Sequence, residues 1–289
     1  MSLVNTKEML KKAKQEKYAV PQFNINNLEW TKSILEKSEE LKAPIIIGVS
    51  EGAAKYMGGF NSVYGMVSGL MKDLKITIDV ALHLDHGTSF ESCKNAIDAG
   101  FTSVMYDGSK ETIEVNAQIT KQVVDYAKAF EVSVEAEAGS VGGEEDGIIG
   151  GIEYASYEDC ETLVNQGIDM LAASLGSVHG HYKGEPKLGF AEMEEISNGL
   201  DIPLVLHGGS GIPEEQIQRA ISCGQTKINI NTEIQVAHNA GLRKYYTENL
   251  DQNEKGYDPR KIFNKYSIPQ MKDVVEEKIN LFGNKNRVN

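Results

Sequence analysis

The chain has 289 residues, of which 40% are hydrophobic and 25% are charged, a composition typical of a globular protein. Its formal net charge of −13 argues against nucleic acid or an anionic membrane as the main partner, but leaves a phosphorylated small molecule open. Three widely spaced cysteines form no C-x-x-C pair, and no segment resembles a signal peptide or a membrane span, which predicts a cytoplasmic protein.

Eight short apolar segments, rich in β-branched residues, alternate with amphipathic segments along the chain. Continuous apolar runs of this length are typical of parallel strands buried on both faces. The predicted strands are residues 18–25, 44–50, 78–85, 103–107, 132–137, 170–175, 203–207 and 227–231. Because the units follow one another without a linker, we expect an α/β fold in which residues 1–289 form a single (β/α)8 TIM barrel, with a doubly wound sheet as the alternative.

Helical patterns with charged faces lie between the predicted strands, for example at residues 27–41, 110–130 and 213–223. Gly100 and Gly224 lie where a helix needs a left-handed residue to stop. Residues 139–151 contain six glycines around three carboxylates, which predicts a mobile active-site lid. From residue 232 onward we expect a long helix, a polar turn at 251–258 and a closing helix near 271–282. We assign 236–289 to the last barrel helix plus a C-terminal arm.

Polar side chains gather at the C-terminal end of every predicted strand, the rim where (β/α)8 barrels build their active sites. Five of the six histidines belong to three of these strand ends: His83, His86, His179, His181 and His207. Three imidazoles with one open coordination position are a common catalytic zinc arrangement. The pattern therefore predicts a zinc site at this rim, although an individual histidine here is as well explained by ordinary polar packing.

The HLDHG segment leaves open which of its histidines faces the site. Strand alternation puts His83 and Asp85 on one side and His86 on the other. His86 joins Asp85 only if the backbone turns, which Gly87 permits. On that interpretation His83 packs behind the site. His181 lies beyond a glycine turn, and an exposed position is its simpler interpretation.

Two neighbouring loops predict a phosphate site. The HGGSGIP segment offers the amides of Gly208, Gly209 and Ser210 just before a helix, whose dipole favours an anion. In the NINTE segment, Asn231 or Thr232 caps the last barrel helix. Phosphate held by the loops after strands seven and eight recurs in these barrels. Plain turn and cap chemistry is the alternative.

Asp85 and Glu145 are candidate acid–base groups. A Schiff-base mechanism lacks a suitable lysine. Lys227 begins strand eight, so we expect it near the opposite end of the barrel. Lys183 lies just past strand six and better suits a phosphate or carboxylate partner.

Several segments together resemble the class II, zinc-dependent fructose-bisphosphate aldolases: HLDHG, SVEAEAGSVGGEEDG, GSVHGHYKGEP, LHGGSGIP and KININTE. The similarity runs from YAVPQFNINN through YDPRK, almost the whole chain. It implies reversible aldol cleavage of fructose 1,6-bisphosphate to dihydroxyacetone phosphate and glyceraldehyde 3-phosphate. Asp85 would then exchange the proton on the aldehyde oxygen, and Glu145 would remove a proton from dihydroxyacetone phosphate.

The resemblance also implies the ligands and contacts of this site. It implies that His86, His179 and His207 bind the catalytic zinc, and that Asp107 and Glu137 bind a second or displaced zinc. Contacts to dihydroxyacetone phosphate, partly through a bound Na⁺ or K⁺, match Gly180, Gly208, Gly209, Ser210, Asn229, Asn231 and Thr232. On the aldehyde side, Ser50 matches a glyceraldehyde-3-phosphate contact and Asn24 lies beside it. Arg260 matches an arginine that reaches the distal phosphate from a partner subunit, which implies a homodimer.

Three alternatives stay open. Tagatose-bisphosphate aldolases are similar, but some carry alanine where this chain has Gly209 and Asn231, which favours fructose. Metal-dependent hydrolase barrels usually have an H-x-H pair on the first strand, where this chain has Asn24. A non-enzymatic binding protein would leave the acid–base pair and the three histidines without a purpose.

Overall fold

The computed structural model describes residues 3–145, 148–151, 153–182, 184–249 and 258–288, without the side chains of residues 144, 145 and 148–150. The strands are β1 (Val20–Asn24), β2 (Ile45–Ser50), β3 (Val80–Gly87), β4 (Ser103–Tyr106), β5 (Ser133–Ala138), β6 (Gly142–Glu145), β7 (Ile148–Gly150), β8 (Met170–Ala173), β9 (Val178–His179), β10 (Leu204–Leu206) and β11 (Gln225–Ile230). The helices are α1 (Lys7–Glu16), α2 (Leu28–Glu40), α3 (Glu51–Tyr56), α4 (Phe60–Asp73), α5 (Phe90–Ala99), α6 (Ile113–Lys128), α7 (Tyr157–Val164), α8 (Phe190–Leu200), α9 (Glu214–Ser222), α10 (Thr232–Glu248), α11 (Pro259–Ile262) and α12 (Ile268–Leu281).

Eight strands close into a barrel in the order β1-β11-β10-β8-β5-β4-β3-β2, and all neighbours are parallel. Each barrel strand falls on a predicted apolar segment, and no strand end is shifted by more than two residues from its prediction. The (β/α)8 prediction is confirmed, and the doubly wound alternative is wrong because β1 pairs with β11 and closes the sheet.

The N-terminal end of the barrel is plugged by α1, a helix that the sequence analysis did not predict. Met9, Leu10 and Ala13 lie on one face of α1 and are almost completely buried. They pack against inward-facing apolar side chains of the strands, including Ile46 and Val205. Burial of each large apolar side chain stabilises the fold by roughly 1.5–3 kcal/mol, so the plug anchors the end opposite the polar rim.

Local signals fix several helix ends. The Asn27 side chain accepts a hydrogen bond from the Trp30 backbone amide and starts α2. Gly100 (φ 104°) and Gly224 (φ 103°) are left-handed, as expected for residues that stop α5 and α9. Asn231 is the N-cap residue of α10, one of the two positions predicted, but its side chain makes no capping hydrogen bond; its Oδ1 accepts from Gln235 Nε2 instead.

Two short strands, β6 and β7, lie in the glycine-rich segment after β5. β6 and β7 form an antiparallel hairpin, and β6 also pairs in parallel with β9. The composition predicted a loop and missed this pairing, which attaches the hairpin to the segment that carries His179.

After the last strand, α10, α11, a π-helical turn over Phe263–Ser267, and α12 run over the outside of the barrel. Two ion pairs fasten α12 to α2: Lys37 with Glu276 (2.9 Å) and Lys272 with Glu36 (2.6 Å). The predicted turn at residues 251–258 lies outside the described residues except for its last residue. Within the described part of the chain, no helix has the length and apolarity needed to cross a membrane.

Candidate active site

A bulge at the end of β3 brings Asp85 and His86 to the same rim. The β3–β4 register runs from Leu84 opposite Val104 to Gly87 opposite Tyr106, so one extra residue is inserted on β3. His86 itself is left-handed, with φ 52°. The turn that the sequence assigned to Gly87 therefore lies one residue earlier. Such a backbone is uncommon for histidine and costs of order 1–3 kcal/mol, a strain that clusters at functional sites.

Three imidazoles meet above the barrel. The nearest nitrogens of His86, His179 and His207 all lie within 4.8 Å of one another. His86 Nε2 is 2.9 Å from His207 Nδ1. The ring centroids of His179 and His86 are 5.0 Å apart. These rings come from β3, β9 and the end of β10, so the closure of the barrel brings them together.

A carboxylate holds the far side of each of two rings, and of the two only Glu135 is fully buried, while Asp107 is partly exposed. His86 Nδ1 donates to Asp107 Oδ2 (2.8 Å), and His207 Nε2 donates to Glu135 Oε1 (2.8 Å). The second nitrogens of the two rings face each other, and although burial opposes the charge, Asp107 and Asp85 raise the pKa of His86 well above its usual value, so that a proton on His86 Nε2 is shared with His207 Nδ1. Two lone pairs 2.9 Å apart need a proton or a metal cation between them.

Glu135 is in turn fixed by Lys227, whose Nζ donates to Glu135 Oε2 at 2.8 Å. Both side chains are fully buried inside the barrel. Although burial opposes ionisation, the Lys227 ammonium lowers the pKa of Glu135 to about 2. Lys227 therefore lies directly beneath the site, and its predicted position at the opposite end of the barrel is wrong.

His83 packs behind the site, as one of the two sequence interpretations had it. It is fully buried, with Nδ1 2.7 Å from Ser103 Oγ. Burial and the nearby Lys227 charge lower the pKa of His83 to about 3, so the ring is neutral. Burial also lowers the pKa of His207, which favours the neutral form that a metal requires.

A second group of candidate ligands shares His86. Its members are His86, Asp107 and Glu137, with Glu137 Oε2 4.0 Å from His86 Nδ1. That oxygen is buried and has no hydrogen-bond partner among the described residues. Burial and the neighbouring Asp107 charge raise the pKa of Glu137 to about 8. Two carboxylates placed so closely favour a cation between them.

Asp85 is held by two amides from the neighbouring strands β1 and β11. Asn24 Nδ2 donates to Asp85 Oδ2 (2.8 Å), and Asn229 Nδ2 lies 3.3 Å from Asp85 Oδ1. Burial opposes ionisation, but the neighbouring positive charges, His86 first and the buried Lys227 ammonium with it, hold the Asp85 pKa well below its usual range. This carboxylate is ionised and oriented, as a proton acceptor must be.

A narrow cavity beside Asp85 combines hydroxyls, amides and an imidazole. Its lining residues are Asn24, Asp85, His179, Gly180, Gly208, Ser210, Asn229, Asn231 and Thr232. The start of α10 opens onto it, which favours an anion. Gly209 is not among the lining residues, and its amide already donates to the Asn229 carbonyl (3.0 Å). The expected exposed amide at Gly209 is therefore not available.

Other predicted site residues lie away from this cavity or outside the description. Ser50 accepts from the Ala53 amide (3.2 Å) and caps α3. Arg260 extends outward, with its side chain 86% exposed and its guanidinium 3.1 Å from Asp258. Lys183 and the side chain of Glu145 lie outside the described residues.

Sequence reasoning missed two residues that support the histidines. Tyr182 links the backbones next to His179 and His207, and Gly143 lies so close to His179 that a Cβ there would be 2.2 Å from the His179 carbonyl oxygen. No periodicity or spacing indicates either role, since both depend on how the loops pack.

The closed barrel, with three imidazoles and several carboxylates at its C-terminal rim, has the architecture of a metal-dependent barrel enzyme.

Comparison with known proteins identifies the family. A family model described as class-II fructose-bisphosphate aldolase matches residues 4–287. A fructose-bisphosphate aldolase of Geobacillus stearothermophilus is 63% identical over 264 residues, 91% of each chain, and one of Staphylococcus epidermidis is 56% identical over 289 residues, 99% of each chain. The crystal structure of the YdjI aldolase from Escherichia coli K12 matches with a TM-score of 0.85 and 31% identity, covering 99% of this chain and 100% of that one. This chain belongs to the class II fructose-bisphosphate aldolase family, whose members are zinc-dependent aldolases.

Proposed function

We propose that this enzyme reversibly cleaves fructose 1,6-bisphosphate to dihydroxyacetone phosphate and glyceraldehyde 3-phosphate. The observation that carries the proposal is the meeting of three imidazoles beside an ionised, amide-held Asp85, next to a cavity lined by backbone amides and hydroxyls. The family match over residues 4–287 supports treating the whole chain as one functional unit. Relatives of 56–63% identity that are named for fructose favour it over tagatose.

The donor set fits zinc. His86, His179 and His207 would hold it, leaving a fourth position for substrate. The facing nitrogens of His86 and His207, 2.9 Å apart, together with the neighbouring His179 ring, form the kind of imidazole donor set that zinc would accept. Zinc there would supply a Lewis acid that stabilises negative charge on the enediolate of the substrate.

Asp85 would handle the proton on oxygen. In cleavage, its carboxylate accepts the proton of the C4 hydroxyl as the C3–C4 bond breaks, and the aldehyde leaves. In condensation, the same group returns that proton to the aldehyde oxygen. Its two amide partners, Asn24 and Asn229, hold the carboxylate in one orientation through both directions.

Glu145 would handle the proton on carbon. We assign it this role from its place in the family motif, at the end of β6, whose backbone pairs with the segment carrying His179. After the carbon–carbon bond breaks, Glu145 gives a proton to C3 of the dihydroxyacetone phosphate half. In condensation it removes that proton.

The phosphate of the dihydroxyacetone half would lie in the cavity beside Asp85. Gly180, Gly208 and Ser210 supply backbone and hydroxyl groups there, and Asn231 and Thr232 stand at the N-terminus of α10, where the helix dipole favours an anion. A Na⁺ or K⁺ ion would offset part of the phosphate charge. Lys183, three residues after Gly180 in the sequence, would add a cation.

Four finer assignments complete the proposal. Asp107 and Glu137, with His86, would hold a second or displaced zinc. The exposed Arg260 would reach the distal phosphate in a partner subunit, which makes the enzyme a homodimer or a higher homo-oligomer. Ser50 would contact glyceraldehyde 3-phosphate after a rotamer change frees its hydroxyl from the cap. Three free cysteines and this reaction both suit the cytoplasm.

Chelation tests the proposal. We expect a strong chelator to abolish cleavage of fructose 1,6-bisphosphate in a coupled assay, and stoichiometric zinc to restore it. Borohydride added with substrate should trap no lysine adduct. Turnover by protein shown to be free of metal would refute the mechanism, and a higher kcat/KM for tagatose 1,6-bisphosphate would refute the substrate.

A further inference from the structure

The segments that carry His179 and His207 separate where the β8–β10 ladder ends. The ladder pairs Leu171 with Leu204 and Ala172 with Val205. Beyond this pair, β8 leads into a loop and returns as β9, while β10 continues into the turn that begins with His207. No strand pairing among the described residues joins the two histidine segments directly.

The hydroxyl of Tyr182 fills this gap. The Val178 amide donates to Tyr182 Oη (3.1 Å), and Tyr182 Oη donates to the Gly208 carbonyl (2.9 Å). Val178 precedes His179, and Gly208 follows His207. The Tyr182 hydroxyl oxygen thus replaces the direct backbone hydrogen bond that a strand pairing would form between the two segments carrying candidate metal ligands.

The two backbones also touch at this point. Gly208 is left-handed (φ 63°), and a Cβ there would lie 2.2 Å from the Val178 carbonyl oxygen. The separation of the two segments is therefore fixed from one side by close contact and from the other by the hydroxyl. Burial raises the pKa of Tyr182 to about 12, so the hydroxyl keeps the proton that it donates.

We propose that Tyr182 is a positioning residue that sets the spacing of His179 and His207 before the metal binds. The expected effect of Tyr182 on catalysis rests on the proposed function. The expected effect on zinc affinity does not depend on which reaction the enzyme catalyses. Gly208 also lines the cavity assigned to the phosphate, so the same hydroxyl holds one wall of the substrate site.

The test compares Tyr182→Phe with a matched control, Tyr154→Phe. Tyr154 Oη also donates to a backbone carbonyl, that of Lys187 (3.1 Å), but its side chain is half exposed and outside the site. Zinc affinity is measured by competition with a chromophoric chelator, without substrate. We expect the Tyr182 variant to raise the zinc dissociation constant about 10-fold or more, and the control to leave it within about twofold.

Catalysis provides a second measurement. At saturating zinc, we expect Tyr182→Phe to raise KM for fructose 1,6-bisphosphate more than it lowers kcat. The variant frees Gly208, which lines the cavity assigned to the phosphate, but leaves the hydrogen bonds of Asp85 in place. A lower melting temperature with unchanged zinc affinity and unchanged KM would show that the hydroxyl is only structural, and would overturn the inference. An inactive wild-type enzyme would refute the proposed function and leave the zinc comparison intact.

Hydrogen exchange on the wild-type chain tests the inference even if the Phe variant does not fold. If Tyr182 positions the segments in advance, the Val178 amide is protected in zinc-free protein. An amide that exchanges at the rate of an open chain until zinc is added would show that the metal, and not the hydroxyl, brings the segments together.

Discussion

Replacing Lys227 by methionine would leave the Glu135 carboxylate buried without its cation. Both side chains have 0% exposure and lie 2.8 Å apart, so water cannot replace the lost partner. Removing one member of a buried ion pair costs about 3–5 kcal/mol. We expect Lys227→Met to lower the free energy of unfolding by that amount in zinc-free protein, as measured by urea denaturation.

Two further variants separate charge burial from loss of packing. Adding Glu135→Gln to Lys227→Met neutralises the stranded carboxylate and should restore part of the lost stability. Lys7→Met breaks the partly exposed pair with Asp169 (3.1 Å) and should leave the urea midpoint almost unchanged. A Lys227→Met variant no less stable than Lys7→Met would refute the argument.

The loss of stability in Lys227→Met should depend on pH in a definite direction. In the wild type the pKa of Glu135 is about 2, below the unfolded value of 4.5, so its contribution to stability is present at neutral pH and is lost only as pH falls toward 2. Without Lys227, burial raises the Glu135 pKa above the unfolded value. The stability of Lys227→Met relative to wild type should therefore fall as pH rises from about 5 to about 8. A flat difference across that range would contradict the assignment.

Two other substitutions probe the rim. Asp85→Ala should lower kcat by about 100-fold or more, since a proton acceptor is lost, while metal analysis still finds zinc bound; loss of the metal would overturn the acid–base role. Gly143→Ala would place a methyl group 2.2 Å from the carbonyl oxygen of His179, on a backbone with φ 101°, and should weaken zinc binding about 10-fold in a chelator competition. Gly151→Ala, where nothing lies within 4 Å, is its control, and equal zinc affinity in both variants would show that the hairpin does not constrain His179.

The sequence predicted the barrel well because its strands are buried on both faces and stand out as apolar runs. It also predicted which strand ends carry polar groups. Strand alternation alone could not decide between His83 and His86, because that choice depends on a bulge created by the register between β3 and β4. It misplaced Lys227 because β11 begins two residues earlier than predicted, at Gln225, so the lysine lies higher in the barrel and faces its interior.

The errors share a physical cause. Local patterns report which residues are apolar and where turns occur, whereas the missed features depend on segments that meet only after the barrel closes. The Gly209 amide is bonded to the Asn229 carbonyl on the neighbouring strand, and the hydroxyl of Tyr182 bridges two loops. Neither partner could be identified from residues nearby in the chain.

The same closure explains why the candidate metal site has no short sequence motif. The rings of His86 and His207 are each anchored by a carboxylate from another strand, Asp107 after β4 and Glu135 on β5. Each anchor occupies one ring nitrogen and leaves the other facing inward, so the choice of tautomer is made by the barrel and not by the loops. A buried charge that orients a metal ligand needs an opposite charge beside it. For the Glu135 carboxylate, that opposite charge is the Lys227 ammonium beneath it.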